Sequence, residues 1–187
     1  TGLGNSGIAQ KNKYEINIYN PANLANLDQK SLLYEFGING IYSTIKNDDT
    51  NDTTNDANIS HVATAFPIKQ GLGFSLGVLP HTKVGYDVDL ENNIESSTDT
   101  YWTRISGEGG LSKFYLASGL KISKNLALGV DLSFLFGTIS QESQIYESSY
   151  VSISDENRYI GIKLKTGLQY TLPKINNKEF TIGAILE

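Results

Sequence analysis

Between Asn125 and Gly137 the chain alternates. Leu126, Leu128, Val130, Leu132, Phe134 and Phe136 are interleaved with Asn125, Ala127, Gly129, Asp131, Ser133 and Gly137. On a helix, side chains two residues apart point about 200° from each other, so this period predicts a strand with one apolar and one small or polar face. The pattern recurs in Leu32, Tyr34, Phe36, Ile38 and Tyr42 against Ser31, Glu35, Gly37, Asn39 and Ser43. It recurs again in Ile160, Ile162, Leu164, Leu168, Tyr170 and Leu172 against Gly161, Lys163, Lys165, Gly167, Gln169 and Thr171. Shorter copies run from Val62 to Ile68, Leu72 to Val78, Phe114 to Ile122 and Phe180 to Leu186.

These runs predict seven strands, at 31–46, 58–68, 71–80, 111–122, 125–140, 157–172 and 178–187. Lys69-Gln70, Ser123-Lys124 and Pro173 to Asn177 read as tight turns, whereas 47–57, 81–110 and 141–156 read as long polar loops. Within 81–106, Lys83, Gly85, Asp87 and Asp89 alternate with Val84, Tyr86, Val88 and Leu90, which also fits an extended hairpin. Short turns at one end and long polar loops at the other are the arrangement of outer-membrane barrels, with the short turns periplasmic. The longest runs exceed both the ~5–6 residues of an average globular strand and the ~9–11 that a tilted membrane strand needs. A face of Gly, Ser, Ala, Lys and Asp suits a wet barrel interior better than the core of a soluble β-sandwich, the competing all-β architecture. The expected fold class is therefore all-β, an antiparallel transmembrane β-barrel in the bacterial outer membrane. Bacterial barrels normally have an even strand number and must close, and alternation is still running at Leu186-Glu187, so residues 31–187 are expected to be a barrel truncated at its C-terminus.

Composition narrows the chemistry. Lys+Arg 15 against Asp+Glu 20 gives a mildly acidic chain, which argues against a nucleic-acid partner. With Cys 0, no disulfide framework, thiol nucleophile or cysteine metal site can form. His61 and His81 are the only histidines, and no Gly-x-Ser-x-Gly elbow appears, so no catalytic residue is assigned and no enzyme is expected. The Asn/Asp/Thr tract at 47–56 is dense in oxygen ligands but lacks the spacing and closing Glu of an EF-hand loop; a solvated loop is the simpler reading. No metal and no cofactor are expected. Gly107, Glu108, Gly109 and Gly110 read as a loop hinge. Glu35, Asp131, Lys163 and Lys165 all fall on the small or polar faces. They are candidate lumen charges, either forming a constriction or pairing with one another inside a polar lumen.

Residues 1–30 behave differently from the alternating runs. The string Gly2-Leu3-Gly4-Asn5-Ser6-Gly7-Ile8-Ala9 is followed by Tyr14 to Tyr19 and then by Asn20-Pro21-Ala22-Asn23-Leu24-Ala25. Pro21 lacks an N–H and restricts Asn20 to extended backbone, so a turn that fixes the first strand is a sufficient local explanation. The "GLGNSGIA" and "NPANLA" strings together resemble the start of FadL-type outer-membrane transport proteins, and more closely a set of Bacteroidetes barrels with "LGxxGIA…INxxNPA". That resemblance implies a barrel of about fourteen strands, of which seven would be half. It also implies a plug containing Asn20, Pro21 and Ala22, and passage of a hydrophobic ligand. The implied function is passive transport of a small hydrophobic or amphipathic solute. The alternative is a non-transporting scaffold, a partner barrel for secretion or surface assembly. Expected partners are outer-membrane lipid, a hydrophobic small molecule, and a protein partner in the envelope.

Overall fold

The computed structural model describes residues 7–46, 51–93, 100–146, 150–173 and 179–187. The chain is all-β apart from two 3-10 segments, Gly7–Ala9 and Pro21–Asn26. The strands are β1 Leu33–Lys46, β2 Asn51–Lys69, β3 Leu72–Asn93, β4 Thr100–Lys121, β5 Leu126–Tyr146, β6 Tyr150–Thr171 and β7 Thr181–Leu186. They form one antiparallel sheet in sequential order, each strand bonded to its neighbours in the chain. The register pairs Phe36 with Val62, Phe66 with Phe74, and Gly167 with Ile185. Phe66 and Phe74 stack with ring centroids 6.5 Å apart.

The predicted strands are all present, but the described residues of the predicted long loops are mostly strand. Most of 51–57, 81–110 and 141–156 is strand: β2 begins at Asn51, β3 runs to Asn93, β4 begins at Thr100, and β5 and β6 extend to Tyr146 and from Tyr150. In 51–57 and 141–156 polar residues on both faces blur alternation without preventing backbone pairing, which is why composition suggested loops there. The extended hairpin over 81–106 agrees with this geometry. Gly107 to Gly110 lie inside β4, not in a hinge. Gly109 has φ +116, and a Cβ there would fall 2.2 Å from the Thr138 carbonyl oxygen, so this irregular strand position requires glycine. Residues 47–50 of the Asn/Asp/Thr tract and 174–177 of the last turn fall outside the described residues.

Two compact units make up the chain. The first comprises Thr1–Leu79, Phe114–Phe134 and Ile162–Glu187. Its sheet is inside out relative to a soluble domain: Asp131 and Ser133 are each 3% exposed, whereas Leu132 between them is 52% exposed and Ile162 is 78% exposed. The same inversion holds for Tyr34 and Phe36 on β1, Leu76 and Val78 on β3, and Leu116 on β4. The covered face packs a small core of Ile16, Leu24, Leu27, Ala63, Ala65, Tyr115 and Ala117 against the N-terminal segment. Ala22 and Ala25 meet Ala127 of β5 in a second cluster.

The second unit comprises Pro80–Lys113 and Leu135–Gly161. Arg104 on β4 grips Asp87 on β3 with both ends of its guanidinium, Nε donating to Oδ1 at 2.8 Å, and lies 4.0 Å from Asp89. This hydrogen bonding holds the Asp87 carboxyl below the ordinary carboxylate range. Hydrogen bonds from Gln144 and Ser152 lower the Glu142 carboxyl in the same direction. Tyr146 and Tyr150 pack with ring centroids 5.3 Å apart.

Candidate functional site

The first unit owes its interior to the segment spanning residues 7–27. Three asparagines at a spacing of three, Asn17, Asn20 and Asn23, are buried and fasten its backbone. A side-chain amide carries two donor hydrogens and an acceptor, so each can satisfy several main-chain groups at once. Asn17 Nδ2 donates to the Gly7 carbonyl at 2.7 Å, while its Oδ1 accepts from the N–H groups of Tyr19 and Asn20 at 2.9 and 3.1 Å. Asn23 Oδ1 accepts from Asn12 N–H at 3.0 Å, and its Nδ2 donates back to the Asn12 carbonyl at 3.1 Å.

Asn20 couples the segment to the sheet. Pro21 forces it into extended backbone at φ −132, ψ 108, where it caps the 3-10 helix Pro21–Asn26 by accepting from Ala22 N–H at 3.0 Å. Its Nδ2 donates to the Ile8 carbonyl at 2.8 Å and to the Leu168 carbonyl of β6 at 3.1 Å. Gln169 repeats the linkage from β6, donating to the Gln10 carbonyl at 2.9 Å and accepting from Asn26 Nδ2 at 3.3 Å. Asn20, Pro21 and Ala22 are thus buried at the segment–sheet junction, which the local turn reading of Pro21 left undefined.

Close approach depends on a glycine in each of five successive strands. A Cβ on Gly73 of β3 would fall 2.2 Å from the Leu24 carbonyl oxygen, and one on Gly119 of β4 would fall 2.6 Å from that of Pro21. On Gly129 of β5, Gly167 of β6 and Gly183 of β7 it would meet Ala22 N, Asn20 Oδ1 and the Ile8 carbonyl oxygen at 2.2, 2.1 and 2.3 Å. The sheet curls, so that glycines of β3 to β6 meet Asn20 to Ala25 while Gly183 of β7 meets Ile8 of the first 3-10 segment. The sequence showed these glycines only as members of small faces; their recurrence in five successive strands is the signal that would have revealed the seat.

The four charged candidates separate into two groups. Lys165 and Asp131, 7% and 3% exposed, approach to 3.9 Å, and Ser133 donates to the other Asp131 oxygen at 2.5 Å. Lys165 also donates to the Ile18 carbonyl at 3.3 Å and shares Glu187 with Lys163, at 3.5 and 3.1 Å. Glu35 stands apart: one oxygen accepts from Ile16 N–H at 2.6 Å and the other is 3.5 Å from His61 Nε2. Ser60 lies 3.0 Å from His61 Nδ1, opposite the β1 register shift at Gly37/Ile38. This grouping anchors the N-terminal segment to β1 and β2. Among the described residues no buried side-chain nitrogen or oxygen lacks a hydrogen-bond partner.

Within the first unit, the geometry defines a strand wall whose apolar face is exposed and whose other face packs against the N-terminal segment. Residues 2–186 match the BamG family, and the chain belongs to that family. The BamG family is associated with the bacterial outer membrane and with its protein-assembly machinery. No curated protein and no solved structure matches the chain. The family match corrects the resemblance to FadL-type transporters, because it covers nearly the whole chain, whereas that resemblance rested on two short strings and on strand repeats. Alternating strands of any barrel resemble one another, and the strings Gly7-Ile8-Ala9 and Asn20-Pro21-Ala22 serve here to seat the segment against the sheet.

Proposed function

We propose that this chain forms part of the wall and the inner segment of an outer-membrane β-barrel that works as a partner in protein assembly, not as a solute conduit. Membership of the BamG family is the observation that carries this reading. The covered face adds support: its seat holds polypeptide, fixed by Asn20, Gln169 and Lys165, and not an apolar pocket ready for a hydrophobic solute. The membrane-crossing part in this reading is the first unit, whose outward Leu116, Leu132, Ile162 and Leu164 meet lipid while Lys165 and Asp131 stay inside. The turns at Gln70-Gly71 and Ser123-Lys124 then face the periplasm.

The test is affinity isolation of the protein from solubilised outer membranes, with flux of small apolar and amphipathic solutes measured in vesicles containing the purified protein. Stoichiometric recovery of the assembly machinery, with solute flux no faster than in protein-free vesicles, is expected. Selective solute flux by a protein isolated without any assembly component would overturn the proposal.

A further inference from the structure

At the turn end of the first unit a cavity of about 760 Å3 opens beneath the C-terminal end of the 3-10 helix. Its lining carries four lysines, Lys11, Lys13, Lys121 and Lys124, against two carboxylates, Asp28 and Glu179. That local excess of positive charge stands in a chain whose net charge is −5. Lys11 is occupied by Glu179 and Thr171. Lys13, Lys121 and Lys124 are exposed and have no ion-pair partner among the described residues.

We infer that this cavity is a docking site for an acidic, extended segment of a periplasmic protein partner; the inference rests on the assembly reading and on the orientation it gives the turns. The volume suits several side chains of a peptide and far exceeds what a single phosphate fills. Gln29 and Gln70 in the lining offer amides that can pair with a strand-like peptide backbone. Asp28 and Glu179 would repel a densely charged polyphosphate but can accept hydrogen bonds from peptide N–H groups. Ala25 and Leu27 supply an apolar patch for a side chain between the acidic ones. The Lys121 backbone is held in position: its N–H donates to the Gly71 carbonyl at 2.7 Å, and a Cβ added at Gly71, whose φ is +81, would fall 2.9 Å from the Lys121 Cβ.

The experiment uses the purified protein and a fluorescent peptide of alternating Glu and Ser, read by anisotropy over a salt series. Binding that weakens as salt rises, and falls at least tenfold in the triple variant Lys13→Glu, Lys121→Glu, Lys124→Glu, is expected. Unchanged mobility of the unheated variant on a gel shows that its wall has formed, and Lys83→Glu in the second unit, compared with Lys121→Glu alone, serves as the control matched in charge. No peptide binding, or binding untouched by the triple reversal, overturns the inference. Displacement of the peptide by inorganic pyrophosphate at equal concentration overturns it too, since that identifies a small-anion site. Because the assay contains no assembly machinery, its failure leaves the co-isolation result standing, and a failed co-isolation leaves the peptide result standing.

Discussion

Replacing Asn20 with alanine removes the side chain that joins the helix cap, the first 3-10 segment and β6. It deletes three hydrogen bonds at a fully buried position: those to the Ile8 and Leu168 carbonyls at 2.8 and 3.1 Å, and that from Ala22 N–H at 3.0 Å. A backbone group left unpaired in a buried setting costs about 1–3 kcal/mol, and water entering the vacated amide volume offsets part of the sum. The expected loss in docking free energy is about 3–4 kcal/mol, roughly a hundred- to thousandfold shift toward the undocked segment. Limited proteolysis of the folded full-length protein reads this directly, because cleavage within 7–27 follows the population of the open form when opening is fast. Asn20→Asp provides the control for shape. It keeps the acceptor for Ala22 N–H but turns a carboxylate toward the Ile8 and Leu168 carbonyl oxygens, so its pKa in the docked state rises above the unfolded value. The docked form then binds more protons, and docking strengthens as pH falls; cleavage of Asn20→Asp should slow in mild acid while that of Asn20→Ala does not. Wild-type cleavage rates in both variants at neutral pH, with unheated gel mobility intact, would refute the coupling role of Asn20.

Gly129→Val should expose the segment to protease, because its Cβ would fall 2.2 Å from Ala22 N, whereas Gly161→Val should not, its nearest neighbour lying 3.7 Å away. Leu132→Arg places a charge on the outward face; at mid-bilayer this costs about 2–4 kcal/mol and should sharply reduce the amount inserted in outer membranes, while on a water-facing sheet it would change stability by no more than about 0.5 kcal/mol. In the second unit the lowered pKa of Asp87 means that its pairing with Arg104 stabilises above the ordinary carboxylate range and is lost as pH falls through the still lower folded value. A double-mutant cycle of Asp87→Asn and Arg104→Gln, read by protease resistance of the 80–113 hairpin, should therefore be non-additive at neutral pH and additive in strong acid. Additivity at both would remove the pair as a stabilising contact.

Strand identity was readable wherever one face is apolar and the other small, as in β5 from Leu126 to Phe136. Even the phase was readable, since Leu128, Val130 and Leu132 turn outward together and Gly129, Asp131 and Ser133 inward. Strand extent was not: beyond Thr138 and before Tyr159 both faces carry polar residues, and backbone pairing leaves no period in such sequence. Of the candidate site, the charges on the inner face were visible individually, but their partners were not. Lys165 meets Asp131 from the neighbouring strand, while Glu35 is engaged by Ile16, far away at the segment's middle. The asparagine clamp looked like turn chemistry, because a short Asn-Pro string specifies local backbone and says nothing about which strand its amide will reach. Family similarity judged on such strings misled for the same reason, and the match over residues 2–186 resolved it.

The central claim is best tested by depleting the protein from growing cells and quantifying every outer-membrane protein over time. An assembly partner predicts that several unrelated outer-membrane proteins fall together, before uptake of any single solute is selectively impaired. Loss of uptake of one solute class, with the rest of the outer-membrane protein complement unchanged, would contradict the account.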